Sequence, residues 1–449
     1  MMDDAILRWL ECVLYERFGV HFKLCAALAG VVTLSPAGSA TRISIVSDPA
    51  TFCGSNAQLS YTTWDAADEG WTPAIDDVLP APGAQCLPTP LVEPTHSGHQ
   101  VNYDILGLAY WMLSRHEELG RTDLDAHGRF PAVASHAYRH DYLERPIVDE
   151  WLHILAQIIE RQWPQLQLRP QVFSMKVSHD VDTPSRYGFR SARGVLRAMA
   201  GDVLRRRDLK GAFRAPWLRL ASHSALHPAD PANTFDWIMD LSERHGLASA
   251  FYFICGRTDR QKDADYELEH PAIRRLLRRI HARGHEIGLH PSYNTYQDPA
   301  AIAMEAQRLR RVCQEEGVGQ SAWGGRMHYL RWEHPTTMLG WEQAGMAYDS
   351  TLSYADRPGF RCGTCFEYPA FDPVEKRQLS LRLRPLIAME ATILADAYMG
   401  LGTSKVALQK FQQLKDRCRA VGGCFTVLWH NSQFESVAER TLYGRVLAS

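Results

Sequence analysis

A chain of 449 residues carries 49 Lys and Arg against 51 Asp and Glu, a formal charge of −2, with 45% apolar residues. That balance excludes a basic nucleic-acid-binding tail and a disordered chain, and points to a small or medium-sized molecule as the partner. The length exceeds one ordinary core and divides into two domains, placed at residues 1–170 and 171–449.

The chain opens on Asp3 and Asp4 and runs into an amphipathic helix reaching Arg17, without the basic start, apolar core and small-residue cleavage site of a signal peptide. No stretch approaches the ~20 uninterrupted apolar residues of a membrane span. The expectation is a cytoplasmic protein, at most peripheral to the inner face of the membrane. Ten cysteines are spread thinly and read as reduced thiols. The close pair in Cys362-Gly363-Thr364-Cys365 has no second pair to complete a zinc site and reads as a tight glycine turn.

Short apolar runs at 30–34 and 43–46, bounded by Pro, Gly and Ser, predict strands; 105–118 and 148–162 predict helices, with a turn from Asp125 to Pro131 between them. This first part shows no metal-ligand spacing and no nucleophile context, so it reads as a smaller mixed α/β domain that scaffolds or positions substrate. The apolar run Val172, Phe173, Met175, Val177 then ends on Ser178-His179-Asp180-Val181-Asp182-Thr183. A basic run follows, with Arg186, Arg190, Arg193, Arg197, Arg205, Arg206, Arg207, Lys210 and Arg214. It reads as a solvated helix face or as a contact for the phosphates of a nucleotide-linked sugar or lipid carrier.

Beyond it, helical and strand-like segments alternate: 235–245 before 248–254, 271–283 before 284–290, 299–316 before 322–329, and 335–344 before 346–351. A strand at 379–384 and the pair 405–420 and 424–431 complete the series. Such alternation is the signature of an α/β fold whose mainly parallel sheet is open or closed into a barrel. In barrels of this kind the chemistry collects at the C-terminal strand ends. Asp180, Asp182, His290, Arg326, Asp349 and His430 each close a strand-like run.

Two carboxylates spaced i, i+2 can converge at a frayed strand end, one holding a metal ion while the other takes a proton from water. The stretch from His285 to His290 is not the HExxH of zinc proteases, since the spacing is one residue too long and strand-like, which puts the two histidines on opposite faces. His285 is assigned a structural role. His290 leads into Pro291-Ser292-Tyr293-Asn294, and positions i and i+4 of one helical turn face the same way. His290 and Asn294 can therefore address one ion.

Taken in order, Ser-His-Asp-Val-Asp at 178–182, Gly-His-Glu-Ile-Gly-Leu-His-Pro-Ser-Tyr-Asn at 284–294, Gly-Gly-Arg at 324–326, Tyr-Asp-Ser-Thr at 348–351 and Leu-Trp-His at 428–430 resemble the five motifs of the polysaccharide deacetylase (NodB-homology) family. The N-terminal half resembles the accessory domain of deacetylase-like proteins of bacterial surface-glycan clusters. The resemblance implies a distorted (β/α) barrel of about seven strands. It implies a metal-dependent carbohydrate deacetylase, a hydrolase of glycan biosynthesis removing acetyl from an amino sugar or a phosphate- or lipid-linked glycoconjugate precursor.

Carried over by position, Asp180 is the general base, Asp182 and His290 are metal ligands, Arg326 tethers the base, and His430 is the general acid. The implied ion is Zn2+, with Co, Mn or Fe as alternatives. Two positions depart from the family. Asn294 stands where a second histidine ligand belongs, so its amide oxygen completes the set unless His328 or His179 supplies the nitrogen. No aspartate-tryptophan pair orients the acid histidine, and Asp349, with Asp356 in reserve, takes that role. Arg361 is a candidate substrate contact. The rival readings are a non-catalytic glycan-binding member of the same fold and a metal amidohydrolase acting on a non-sugar amide. A serine hydrolase would need a Gly-x-Ser-x-Gly elbow that the chain lacks.

Overall fold

The computed structural model describes residues 2–27, 30–54 and 58–448; the side chain of Arg205, counted above in the basic run, lies outside the described residues. Asp3 caps the first helix, Asp4–Phe18, by accepting from the Ala5 amide at 2.9 Å, and Gly19 ends it in the left-handed conformation. Seven strands follow: β1 (Phe22–Ala27), β2 (Val31–Pro36), β3 (Arg42–Val46), β4 (Tyr61–Asp65), β5 (Val78–Pro82), β6 (Val92–Thr95) and β7 (Gly98–Val101). Five of them form a sheet in the order β1-β2-β3-β7-β6, and β4 and β5 form a separate two-stranded sheet among the described residues. Helix Ile147–Gln162 lays Trp151, Leu152, Leu155 and Ile158 against this region, a stripe at helical spacing.

The second sheet holds β8 (Ser174–Val181), β9 (Ser249–Ile254), β10 (Glu286–His290), β11 (Gly324–Gly325), β12 (Tyr348–Asp349), β13 (Tyr368–Asp372), β14 (Arg377–Leu383), β15 (Ala388–Met389) and β16 (Cys424–Leu428). Its order is β13-β14-β12-β11-β10-β9-β8-β16-β15, with every neighbouring pair parallel except β13 and β14. Helices Phe235–Arg244, Pro271–Ala282, Pro299–Glu315, Thr336–Gln343 and Lys405–Ala420 intervene. Each buries an apolar stripe, such as Ile273, Leu276, Leu277 and Ile280.

The expected α/β architecture, a distorted (β/α) barrel of about seven strands, is met by a mainly parallel sheet of nine strands among the described residues, where no ladder joins β13 to β15. One edge is occupied instead. β13 turns back antiparallel, and the first helix covers it, Trp9 donating to the Pro369 carbonyl at 2.9 Å while Arg382 pairs with Glu16 at 2.9 Å.

One apolar cluster runs through residues on both sides of position 170. Polar contacts reinforce it. Glu118 lies buried between Arg115 and Arg361, and the Asp149 carboxylate accepts from Thr364 Oγ1 at 2.7 Å and from the Cys365 amide at 2.9 Å. Cys362 and Cys365 are free, buried thiols flanking a turn at Gly363, whose φ of 66° is the left-handed conformation that favours glycine.

Candidate active site

Along β8 the side chains alternate, so Ser178 and Asp180 face one way and His179 the other. His179 donates from Nδ1 to the Trp429 carbonyl at 2.6 Å and stacks on Phe251, away from the carboxylates. Asp180 is buried, and its Oδ1 accepts from Arg326 at 2.8 Å. Arg326 can reach it because β11 consists of glycine: a Cβ at Gly325 would run into the Leu289 backbone. The guanidinium also donates to Ser178 Oγ at 2.9 Å and to the Ser350 carbonyl at 2.9 Å, so it is fixed on three sides. Its own carbonyl accepts from His290 Nδ1 at 2.6 Å. One residue thus orients both the carboxylate and the histidine.

His290, His328 and His430 all present Nε2 to Asp182. In each ring Nδ1 is committed as a donor: to the Arg326 carbonyl at 2.6 Å, to Asp263 at 3.0 Å, and to Glu390 at 2.5 Å. That leaves the Nε2 atoms facing the carboxylate, each presenting an N–H when its ring is protonated and a lone pair when the ring is neutral. His290 Nε2 lies 3.4 Å from Asp182 Oδ1, with His328 Nε2 3.8 Å and His430 Nε2 3.7 Å from Oδ2. Among the described residues neither His290 Nε2 nor Asp182 Oδ1 has a hydrogen-bond partner, although both atoms are buried.

Asp182, His290 and His328 offer ligand atoms within 4.8 Å of one another and could hold a metal ion. Tetrahedral bonds of ~2.0–2.1 Å set neighbouring ligand atoms roughly 3.3–3.4 Å apart, which matches the His290 to Asp182 separation. A backbone carbonyl behind one histidine and a carboxylate behind the other are the outer partners that metal-binding imidazoles carry. The residues present therefore fit a divalent cation.

Charge follows this geometry. Burial opposes ionisation of Asp182, but His328, His290 and His430 hold its carboxyl well below the usual range. Burial lowers His290, and Asp180 and Asp182 more than reverse that. Burial likewise lowers His430, yet Glu390, Asp182 and Asp180 push it up to about 10. Because Asp182 is among the causes, whatever neutralises Asp182 brings that value down.

The cavity over these groups has a volume of about 190 Å³ and is walled by Leu330, Met389, Ala391, Tyr329, Tyr398 and Arg129. Arg129 comes from the first half of the chain. The turn predicted at 125–131 is built on Asp125, whose carboxylate accepts from the His127 and Arg129 amides at 2.8 and 3.0 Å. Arg129 is buried and donates to Asp125 at 2.7 Å and to the Tyr329 carbonyl at 2.8 Å, while Arg331 donates to the His127 carbonyl at 2.7 Å.

Asn294 does not join the cluster, which corrects its assignment as a ligand. It is exposed, its amide oxygen accepting from Arg331 at 3.1 Å and its nitrogen donating to the Thr258 carbonyl at 3.3 Å. After His290 the chain bends instead of entering a helix, so the i, i+4 relation never forms. Asp349 is likewise corrected as the group orienting His430. It is fully buried, accepts from the Thr351 amide at 2.8 Å and from the Thr351 hydroxyl, and is pushed up to about 6 by burial. Glu390 takes that place. Asp356 accepts from the Ala132 amide at 3.0 Å, and Arg361 is buried against Glu118. His285 accepts from the Ser249 amide at 3.0 Å, off the site.

Sequence reasoning overlooked Asp263, Glu390 and Arg129, and weighed His328 only as an alternative. Glu390 follows a two-residue strand with no periodicity to read, and Asp263 looks like a turn aspartate, accepting from the Thr258 and Asp259 amides at 2.8 and 2.7 Å. The signal for His328 was present, two residues after Arg326.

Among known proteins, a family described as a family of unknown function (DUF7033) matches residues 39–164. No curated protein matches the chain. A crystal structure named as a candidate polysaccharide deacetylase from Mycobacterium smegmatis is 16% identical, covering 62% of this chain and 85% of that one, with a TM-score of 0.38. Puue allantoinase is 12% identical, covering 62% of this chain and 83% of that one, with a TM-score of 0.35. Similarity this low lends no weight to either activity here.

Proposed function

We propose that this protein is a metal-dependent hydrolase that removes an acetyl group from the nitrogen of an amino sugar or glycoconjugate precursor. One observation carries the reading: a cluster able to bind a cation, an arginine-tethered carboxylate and a glutamate-tethered imidazole meet in one small cavity. Amide hydrolysis asks for those three things, because the nucleophile is weak, charge develops on oxygen and the leaving nitrogen is poor. The ligands would be Asp182, His290 and His328, a donor set that suits zinc and also accommodates Co, Mn or Fe. A divalent cation bound there supplies Lewis acidity, acidifying water and drawing charge from a carbonyl oxygen.

The chain's own groups do the rest. Asp180 keeps Oδ1 on Arg326 and turns Oδ2 to the cavity, 3.6 Å from His290 Nε2, where it takes a proton from the attacking water. His430, held protonated by Glu390, delivers a proton from Nε2 to the departing nitrogen. Leu330, Met389 and Ala391 offer an apolar wall of a size for an acetyl methyl. Arg129 and Tyr398 line the cavity and would be the groups to bind a hydroxyl or phosphate of the sugar. The non-catalytic reading rested on Asn294 as a lost ligand, and it weakens once His328 stands in the cluster.

The test is acetate release from a panel of N-acetylated sugars and non-sugar amides, with metal analysis of protein purified without chelator. Turnover on a sugar, abolished in Asp180→Asn with the metal retained, supports the reading. Absence of turnover across the panel from metal-loaded protein overturns it, and turnover confined to a non-sugar amide moves the substrate class.

A further inference from the structure

Between β8 and β9 the chain leaves the sheet as a helical insertion: helix Ala192–Gly201, a wide turn Asp202–Arg206, and helix Leu209–Ala221. Its inner side is satisfied. Tyr187, Val195, Ala215 and Leu218 form a small core of their own, and buried Asp202 holds Arg186, Arg206 and the Tyr187 hydroxyl. The outer side is apolar and uncovered. Leu196, Leu204, Leu209, Phe213, Trp217 and Leu220 are between 54% and 84% exposed. Residues 209, 213, 217 and 220 recur at i, i+4, i+8 and i+11, which gathers them into an arc of about 80° on one helix face. Ala212, Ala215 and Leu218 lie on the opposite face and are buried. Single exposed apolar residues are ordinary, whereas six on one excursion of the chain, four of them in a row on one helix face, mark a contact surface.

Charge says what the contact is. From 186 to 221 there are ten Lys and Arg and only two carboxylates, Asp202 and Asp208, and Asp208 is spent capping the second helix. Arg193, Arg197, Arg207, Lys210 and Arg214 have no carboxylate partner among the described residues. A second copy of this chain is a poor occupant, since it would press two strongly cationic surfaces together. Among the described residues no helix is long and apolar enough to cross a membrane.

We propose that this insertion seats the protein on an anionic lipid bilayer, its apolar row entering the headgroup and acyl boundary while the flanking cations meet lipid phosphates. The seat adjoins the candidate active site. Arg193 and Arg197, on the helix that carries Leu196, line with Arg190 and Arg260 a cavity of about 640 Å³ that Asp182 also lines. A substrate carried on a lipid phosphate would arrive along that wall. The surface itself stands without the catalytic reading, because vesicle binding is measured without turnover.

The experiment is co-sedimentation of the full chain with neutral phosphatidylcholine vesicles and with vesicles containing about 30% phosphatidylglycerol, at low and high salt. Binding to the anionic vesicles is expected to be roughly tenfold or more tighter than to the neutral ones, and to weaken with salt. Leu204→Glu with Phe213→Glu should abolish it while leaving circular dichroism and the melting temperature unchanged. Arg207→Gln with Arg214→Gln, a gentler pair, should lower anionic-vesicle affinity about tenfold. Failure of the wild type to bind anionic vesicles, or binding untouched by Leu204→Glu with Phe213→Glu, overturns the proposal. So does a concentration-dependent dimer that this variant dissolves, which would give the face to a second copy.

Discussion

Glu118→Gln tests how the two halves of the chain are joined. Glu118 accepts from Arg115 at 2.9 Å and from Arg361 at 2.9 and 2.6 Å, and all three side chains are buried. Burial raises its carboxyl, but Arg361 and Arg115 outweigh that and hold it at about 2, against an ordinary 4.5. A displacement of that size corresponds to about 3 kcal/mol in favour of the ionised form. Independently, stranding a buried charge without its partner costs ~3–5 kcal/mol, and the variant leaves Arg361 without a carboxylate while Arg115 keeps Glu117 at 3.6 Å. The expected loss is therefore about 3 kcal/mol, read by urea unfolding at neutral pH. The folded carboxyl is depressed, so its contribution is fully present above the unfolded value and disappears as pH falls through the folded one. The difference between wild type and variant should accordingly shrink below about pH 4.5 and close towards pH 2. A loss under ~1 kcal/mol, the scale of a surface pair, would refute the reasoning.

Three further outcomes are expected. Glu390→Gln removes the carboxylate that charges His430, and kcat should fall about a hundredfold while the bound metal stays; an unchanged kcat would detach Glu390 from the chemistry. Arg129→Ala should raise KM about tenfold with little change in kcat, and a kcat loss of the same size would make Arg129 more than a substrate contact. His136 is buried, accepting from the Tyr142 hydroxyl at 2.7 Å and donating to the Leu59 carbonyl at 3.0 Å, and burial with His140 lowers it to about 4. The unfolded chain binds that proton first, so stability should fall as pH drops from about 6.5 through 4, by up to ~3 kcal/mol. His136→Gln should flatten the melting temperature against pH over that window, and an equal slope in both proteins would exclude His136 as the cause.

What the sequence made legible was local. Strand-helix alternation gave the order of β8 to β12, because each apolar run is short and followed by an amphipathic stretch. The pairing of Arg326 with Asp180 followed from the motif resemblance that includes Gly324-Gly325-Arg326, and the structure puts that arginine 2.8 Å from the carboxylate. Closure of the sheet was not legible, since nothing in the periodicity of β13 or β15 says whether an edge pairs or is covered by a helix from residues 4–18. Asn294 misled because spacing specifies a direction only inside a helix, and the chain bends after His290. Glu390 stayed hidden for the opposite reason: β15 has two residues and no pattern. Arg129 reaches the cavity through contacts between residues some two hundred positions apart, such as Arg129 to Tyr329, which no local spacing encodes. In the insertion, the 3.6-residue period is plain, yet a helix with two apolar stripes does not reveal which one is covered.

Metal content by mass spectrometry, compared across wild type, His328→Ala and Asn294→Ala, tests the ligand set most directly. About one divalent ion per chain is expected in the wild type and in Asn294→Ala, with loss of most of it in His328→Ala. Retention of the ion in His328→Ala with its loss from Asn294→Ala would contradict the cluster of Asp182, His290 and His328.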